Sequence, residues 1–155
     1  MKRACASMVA VAMICAFTAV AFAQEIKSIS AGELDAKIKN NANKALIVDF
    51  FATWCPPCQA EIPGFIALYN EYKDKGVEII GVSVDTGGAG LVQNFAKEKG
   101  INYPLYLADP DVAMKYGIRG IPDTHIYAPG GKLHKRHVGY TDKEEFEKQI
   151  NELLK

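Results

Sequence analysis

The sequence predicts an α/β domain with a mixed central sheet flanked by helices, and three observations carry that expectation. Residues 45–52 (ALIVDFFA) and 77–84 (VEIIGVSV) are nearly continuous apolar runs, the pattern of strands covered on both faces. Each run is followed by apolar residues at helical spacing. Residues 124–128 and 133–138 flank Pro129-Gly130-Gly131-Lys132, a hairpin turn, and a last amphipathic segment follows. Strands alternating with helices, then a hairpin and a closing helix, imply an α/β sandwich.

Taken in order, residues 26–29 read as a short strand. Ser30-Ala31-Gly32-Glu33 has capping-box spacing, and Leu34, Ile38 and Ala42 suit a helix that stops in Asn40-Asn41-Ala42-Asn43. The first buried strand is interrupted by one acid, Asp49. After Cys58, the positions Ile62, Phe65, Ile66, Leu68, Tyr69 and Tyr72 fit a helix that ends before Gly76, with a kink expected at Pro63. Beyond the second buried strand, residues 91–99 form a helix closed by Gly100. Residues 103–108 form a short strand, and Asp109-Pro110-Asp111 opens a short helix reaching Tyr116. Thr141-Asp142 starts the final helix, with Phe146, Ile150, Leu153 and Leu154 on its inner face.

The N-terminus bears on compartment. Met1-Lys2-Arg3 is a basic leader, residues 4–20 are uncharged and rich in Ala and Val, and Ala21-Phe22-Ala23 offers a small-x-small cleavage pattern before Gln24. Residues 1–23 therefore read as a cleaved secretory signal peptide and residues 24–155 as one domain. An uncleaved anchor is the alternative, because the uncharged run is close to the roughly 20 residues of a spanning helix. Either way the domain is expected in the periplasm or another extracytoplasmic space. The 18 basic and 18 acidic residues balance, so neither a nucleic-acid partner nor a membrane-surface patch is indicated. With no exposed apolar heptad and no extra cysteine, a monomer is expected. Cleavage removes Cys5 and Cys15 and leaves Cys55 and Cys58 to carry all thiol chemistry.

Those two cysteines sit in TWCPPCQAEIP, where a buried strand hands over to a helix. A helix N-terminus offers free N–H groups and the positive end of the macrodipole, which favour a thiolate. Cys55 is thereby favoured as attacker, and Cys58, three residues on, lies on the same face and is able to resolve a mixed disulfide. Pro57 suits the first turn because its missing N–H has no partner there, and Pro56 and Pro57 together restrict the loop. A purely structural bridge across so short a loop stabilises little. A structural zinc site lacks a second ligand pair: His125, His134 and His137 are the only histidines, and the last two are expected on opposite faces of their strand. No metal is expected.

Resolution requires Cys58 to lose its proton, so a nearby base would help. Asp49, in an apolar strand, should have its pKa raised by burial. Glu61, one helical turn beyond Cys58, is the second candidate.

VDFFATWCPPC resembles the active-site strand and turn of thioredoxins, and KYGIRGIP (residues 115–122) resembles their cis-proline segment. The spacing is longer than in a minimal thioredoxin, with an extra helix and strand between Val84 and Lys115. The Glu and Pro of CPPCQAEIP are similar to those of TlpA/ResA-like thiol:disulfide interchange proteins of bacterial envelopes. The resemblance covers residues 25–155 and implies a thioredoxin fold in which Pro122 is cis and faces the cysteines. It also implies that the Ile121 backbone pairs with a substrate segment and that Trp54 flanks the reactive sulfur. Asp123 departs from the Ser or Thr usual after that proline, and is expected to place a negative charge near the thiol.

The expected function is an extracytoplasmic protein-disulfide reductase using the Cys55/Cys58 dithiol, with Trp54, Pro56, Pro57, Ile121 and Pro122 forming the substrate surface. Its partners would be disulfide-containing envelope proteins, apocytochrome c among them by resemblance, and a membrane electron donor for re-reduction. No diffusible cofactor is implied, since no G-x-G-x-x-G stands between a strand and a helix. A disulfide oxidase or isomerase, and a copper chaperone using the two thiolates and a histidine, are the alternatives. A peroxidase is disfavoured because the peroxiredoxin pattern would need Pro at Val48 and Thr or Ser at Ala52.

Overall fold

A computed structural model of the chain describes residues 25–42 and 44–155, so the expected signal peptide lies outside the described residues. The elements run β1 (Lys27–Ile29), α1 (Ala31–Asn40), β2 (Ala45–Phe51), α2 (Pro56–Tyr72), β3 (Val77–Ser83), α3 (Ala89–Lys99), β4 (Leu105–Ala108), α4 (Pro110–Lys115), β5 (Asp123–Tyr127), β6 (Leu133–Val138) and α5 (Lys143–Leu153). The six strands form one sheet in the order β1-β4-β3-β2-β5-β6. The β1/β4, β3/β4 and β2/β3 pairs are parallel, whereas β2/β5 and β5/β6 are antiparallel. The sheet is mixed, as expected, and the extra helix and strand are α3 and β4, with β4 inserted between β1 and β3.

Every residue of β2 is buried, which is why its sequence lacks an alternating pattern. Its two faces feed two apolar clusters. Ala45, Ile47 and Phe51 join Cys55, Cys58, Phe65, Tyr103 and Phe146, while Leu46, Val48 and Phe50 join Leu34, Ile38 and Val112. Gly81 of β3 belongs here for steric reasons. A Cβ at that position would lie 2.5 Å from Leu105 Cδ2 and 3.1 Å from the Phe51 ring.

The local signals mostly act as read. Ser30 accepts from the Glu33 N–H while Glu33 caps Ser30 in return. Gly100 closes α3 in the left-handed conformation at φ 66°. Helix α2 ends at Tyr72, before Gly76, with Pro63 inside it. Three expectations change. The first helix ends at Asn40, leaving Ala42 exposed in a turn. Leu154 lies past the end of α5 and is exposed. His134 and His137 do not point to opposite faces: the β5/β6 register skips His134 as a bulge. Both consequently reach α5, His134 bonding Gln149 at 3.2 Å and His137 meeting the Phe146 ring edge-on. No described helix is long and apolar enough to cross a membrane.

Candidate active site

The buried strand β2 runs out at Phe51, and the chain turns through Thr53-Trp54 before α2 begins. That turn is held by one residue distant in sequence and one close by. Asp85, buried after β3, accepts from the Thr53 N–H and hydroxyl, both at 2.8 Å, and from the Ser83 hydroxyl at 2.7 Å. Gln59 donates to the Thr53 carbonyl at 2.7 Å. The sequence offers no cue for Asp85 beyond an acid in a loop, because its partner on the turn lies 32 residues earlier.

Cys55 occupies the N-cap of α2, and Pro56 and Pro57 open the helix. Cys55 and Cys58 form a disulfide with their Cα atoms 5.3 Å apart. The Cys58 N–H donates to Cys55 Sγ at 3.2 Å, the place where an N-cap oxygen would otherwise accept. In the reduced chain that same N–H, together with the helix dipole, favours the Cys55 thiolate. Both cysteines are almost covered, at 3 % and 1 % exposure, while Trp54 beside them is 68 % exposed. Pro56 and Pro57 are exposed as well. The Ile121–Pro122 peptide is cis, and Ile121 packs against the cluster that contains both cysteines.

Two acids, Asp49 and Glu61, are buried and close enough for Asp49 to feel the charge of Glu61. Asp49 projects from β2 on the cysteine side; Thr124 supplies one hydrogen bond, and Oδ1 has no partner. Burial, reinforced by the neighbouring charge of Glu61, pushes the Asp49 pKa well above the ordinary carboxyl range. Glu61 Oε1 accepts the Thr141 N–H at 2.6 Å, and Oε2 is buried without a partner. Burial lifts Glu61 to about 7 against the opposing pull of that N–H. The charges of both acids, after burial, hold the Tyr103 hydroxyl far up, so Tyr103 belongs to the same cluster. Tyr103, Thr124 and Thr141 were not singled out from sequence, where nothing links them to a cysteine motif. A small cavity of about 160 Å³ opens over Glu61 between α2 and the start of α5.

Asp123 behaves differently from expectation. It shares the opposite face of the sheet with His125 and Tyr127, where Arg136 binds both its oxygens and His125 Nε2 lies 3.1 Å from Oδ1. His125 in turn meets the Tyr127 hydroxyl at 3.1 Å and the Phe50 ring edge-on. The charge after the cis-proline is therefore compensated and turned away from the sulfurs. Arg136 also donates to the Gly117 carbonyl at 2.9 Å, tying both ends of the cis-proline loop to β6. Among the described residues no three His, Cys, Asp or Glu side chains are grouped to hold a metal ion.

A dithiol at a helix N-terminus, backed by buried acids and set against a cis-proline loop on this sheet, defines a thiol-disulfide oxidoreductase of thioredoxin fold. The profile described as the AhpC/TSA family matches residues 16–136. The chain belongs to that family. It is 33 % identical over 133 residues to thiol-disulfide oxidoreductase ResA of Oceanobacillus iheyensis, covering 83 % of this chain and 68 % of the relative. It is 33 % identical over 120 residues to ResA of Halalkalibacterium halodurans, covering 77 % and 67 %. The crystal structure of a thiol:disulfide interchange protein, a thioredoxin family protein from Chlorobium tepidum TLS, superposes with a TM-score of 0.69. That protein is 31 % identical, with 78 % of this chain and 85 % of that chain covered. Val48 and Ala52 stand where the peroxiredoxin pattern would need Pro and Thr or Ser.

Proposed function

We propose that this oxidoreductase works outside the cytoplasm as a reductase of protein disulfides. The observation that carries the reading is the Cys58 N–H directed at Cys55 Sγ at the start of α2. Cys55 thiolate attacks a substrate disulfide, expelling one substrate thiolate and forming a mixed disulfide. Cys58 thiolate then attacks Cys55 Sγ, releasing the second substrate thiolate and leaving the Cys55–Cys58 disulfide. Two electrons pass from dithiol to substrate.

The proton on Cys58 must leave before the second attack. Glu61, held near 7, changes ionisation around neutral pH, and burial pushes Asp49 well above the ordinary carboxyl range. Glu61 is thus the group that accepts the proton and passes it to the small cavity above it, and Asp49 serves as the buried reserve behind it. The reducing direction is supported by the sulfur environment. Strongly oxidising dithiols stabilise their reduced form heavily; here one N–H serves Cys55 and both cysteines are buried in an apolar cluster.

The leader-like residues 1–23 and the similarity to ResA support an extracytoplasmic setting. There a membrane electron donor must regenerate the dithiol, and envelope proteins, apocytochrome c included, supply the disulfides. Cys58→Ser offered an oxidised protein substrate should accumulate a covalent complex through Cys55, released by added thiol. Complex formation by Cys55→Ser, or none by Cys58→Ser, would contradict the assigned roles.

A further inference from the structure

A cavity of about 430 Å³ lies beside the cis-proline loop, lined by Gly117, Arg119, Gly120, Asp123, Arg136 and Val138. The charges in its wall are unequally occupied. Arg136 is engaged by both oxygens of buried Asp123 and by the Gly117 carbonyl, so that pair is neutral as a unit. Lys115, just before the loop, is held by Asp35 at 3.4 Å. Arg119 is exposed and has no hydrogen-bond or ion-pair partner among the described residues. The wall therefore carries one uncompensated positive charge. It is also open at the backbone: a Cβ at Gly120 would meet nothing within 4 Å, and Gly117, at φ +63°, faces only the Arg136 guanidinium.

Arg119 precedes Ile121 by two residues. Both lie in the loop ahead of β5, so a substrate segment paired with the Ile121 backbone would run beside Arg119. Exposed Val138 gives the cavity an apolar rim suited to the methylenes of a longer acid.

We propose that this cavity is a substrate subsite for an acidic side chain, carried by the polypeptide segment next to the disulfide under attack. Arg119 is its specificity-determining residue, and the Arg136–Asp123 pair is its fixed wall. The proposal rests on the disulfide-exchange reading above. An exposed ion pair is weak and screened by salt, so the subsite acts on KM by about two- to fivefold and leaves kcat alone.

The test uses the full chain and two peptides of one sequence, each with a single disulfide, carrying either Glu or Lys two residues from the cysteine attacked. A small uncharged disulfide serves as control. Wild type is expected to show a lower KM for the Glu peptide by about two- to fivefold, fading at high salt. Arg119→Ala should erase the difference and Arg119→Glu should invert it, with the small disulfide reduced at an unchanged rate by all three. Arg119 is exposed, so neither variant threatens the fold. Equal KM values for the two peptides in wild type, or a preference that survives in Arg119→Ala, overturn the subsite alone. Failure of wild type to reduce even the small disulfide overturns the disulfide-exchange reading and the subsite with it.

Discussion

Thr141 and Glu61, 80 residues apart, are joined by a 2.6 Å hydrogen bond from the Thr141 N–H to Oε1, while the other oxygen of that carboxyl is buried without a partner. One bond is too few to keep the carboxylate at its usual pKa, and burial prevails. The start of α5 therefore sets the proton affinity of a side chain on the active-site helix. Gly64 eases the approach, since a Cβ there would make a tight 3.3 Å contact with Lys143 Cβ.

Glu61→Gln tests that affinity twice. The folded chain holds the Glu61 proton up to about pH 7, whereas the unfolded chain releases it near the ordinary pKa of about 4.3. Wild type thus has this stability in full at low pH and loses it as pH rises through that window. Denaturant titrations at about pH 5 and pH 8 should show the decline shrink in Glu61→Gln by on the order of 1–2 kcal/mol, allowing for solvent screening. The rate of mixed-disulfide release should also lose its inflection near neutral pH. An unaltered inflection would remove Glu61 from the proton path.

Asp49→Asn keeps the shape of the buried side chain and removes its ionisable group. Stopped-flow measurement of release from the mixed disulfide should show slowing by about tenfold or more, with the first attack by Cys55 little changed. Unchanged release across pH would remove the role given to Asp49.

Arg136→Met leaves Asp123 fully buried and without its main counter-charge. Removing one partner of a buried pair costs about 3 kcal/mol or more. Adding Asp123→Ser should return most of that stability, because no buried charge is then left unpaired. A urea titration of wild type, single and double variants decides it: a double variant as unstable as Arg136→Met would mean that the guanidinium acts through packing alone.

Much of this was legible in the sequence because it is local. The buried strand, the capping box at Ser30, Gly100 as a helix stop and the cysteines at a helix start each follow from a few adjacent residues. The burial of Asp49 followed as well, since an acid within ALIVDFF has no water to reach. What stayed hidden depends on partners far along the chain. Asp85 bracing Thr53, Thr141 capping Glu61 and Arg136 neutralising Asp123 join residues 32, 80 and 13 apart. The faces of His134 and His137 were misjudged because a one-residue bulge inverts alternation and leaves no mark in composition.

In the proposed reaction the Cys55/Cys58 couple gives electrons to protein disulfides. The most direct test is its reduction potential, measured by equilibrating residues 24–155 against thiol-disulfide buffers and counting free thiols. A reductase is expected to give a value near the thioredoxin end of the scale, about −270 mV. A value near the strongly oxidising end, about −120 mV, would contradict that reading and make this protein a donor of disulfides.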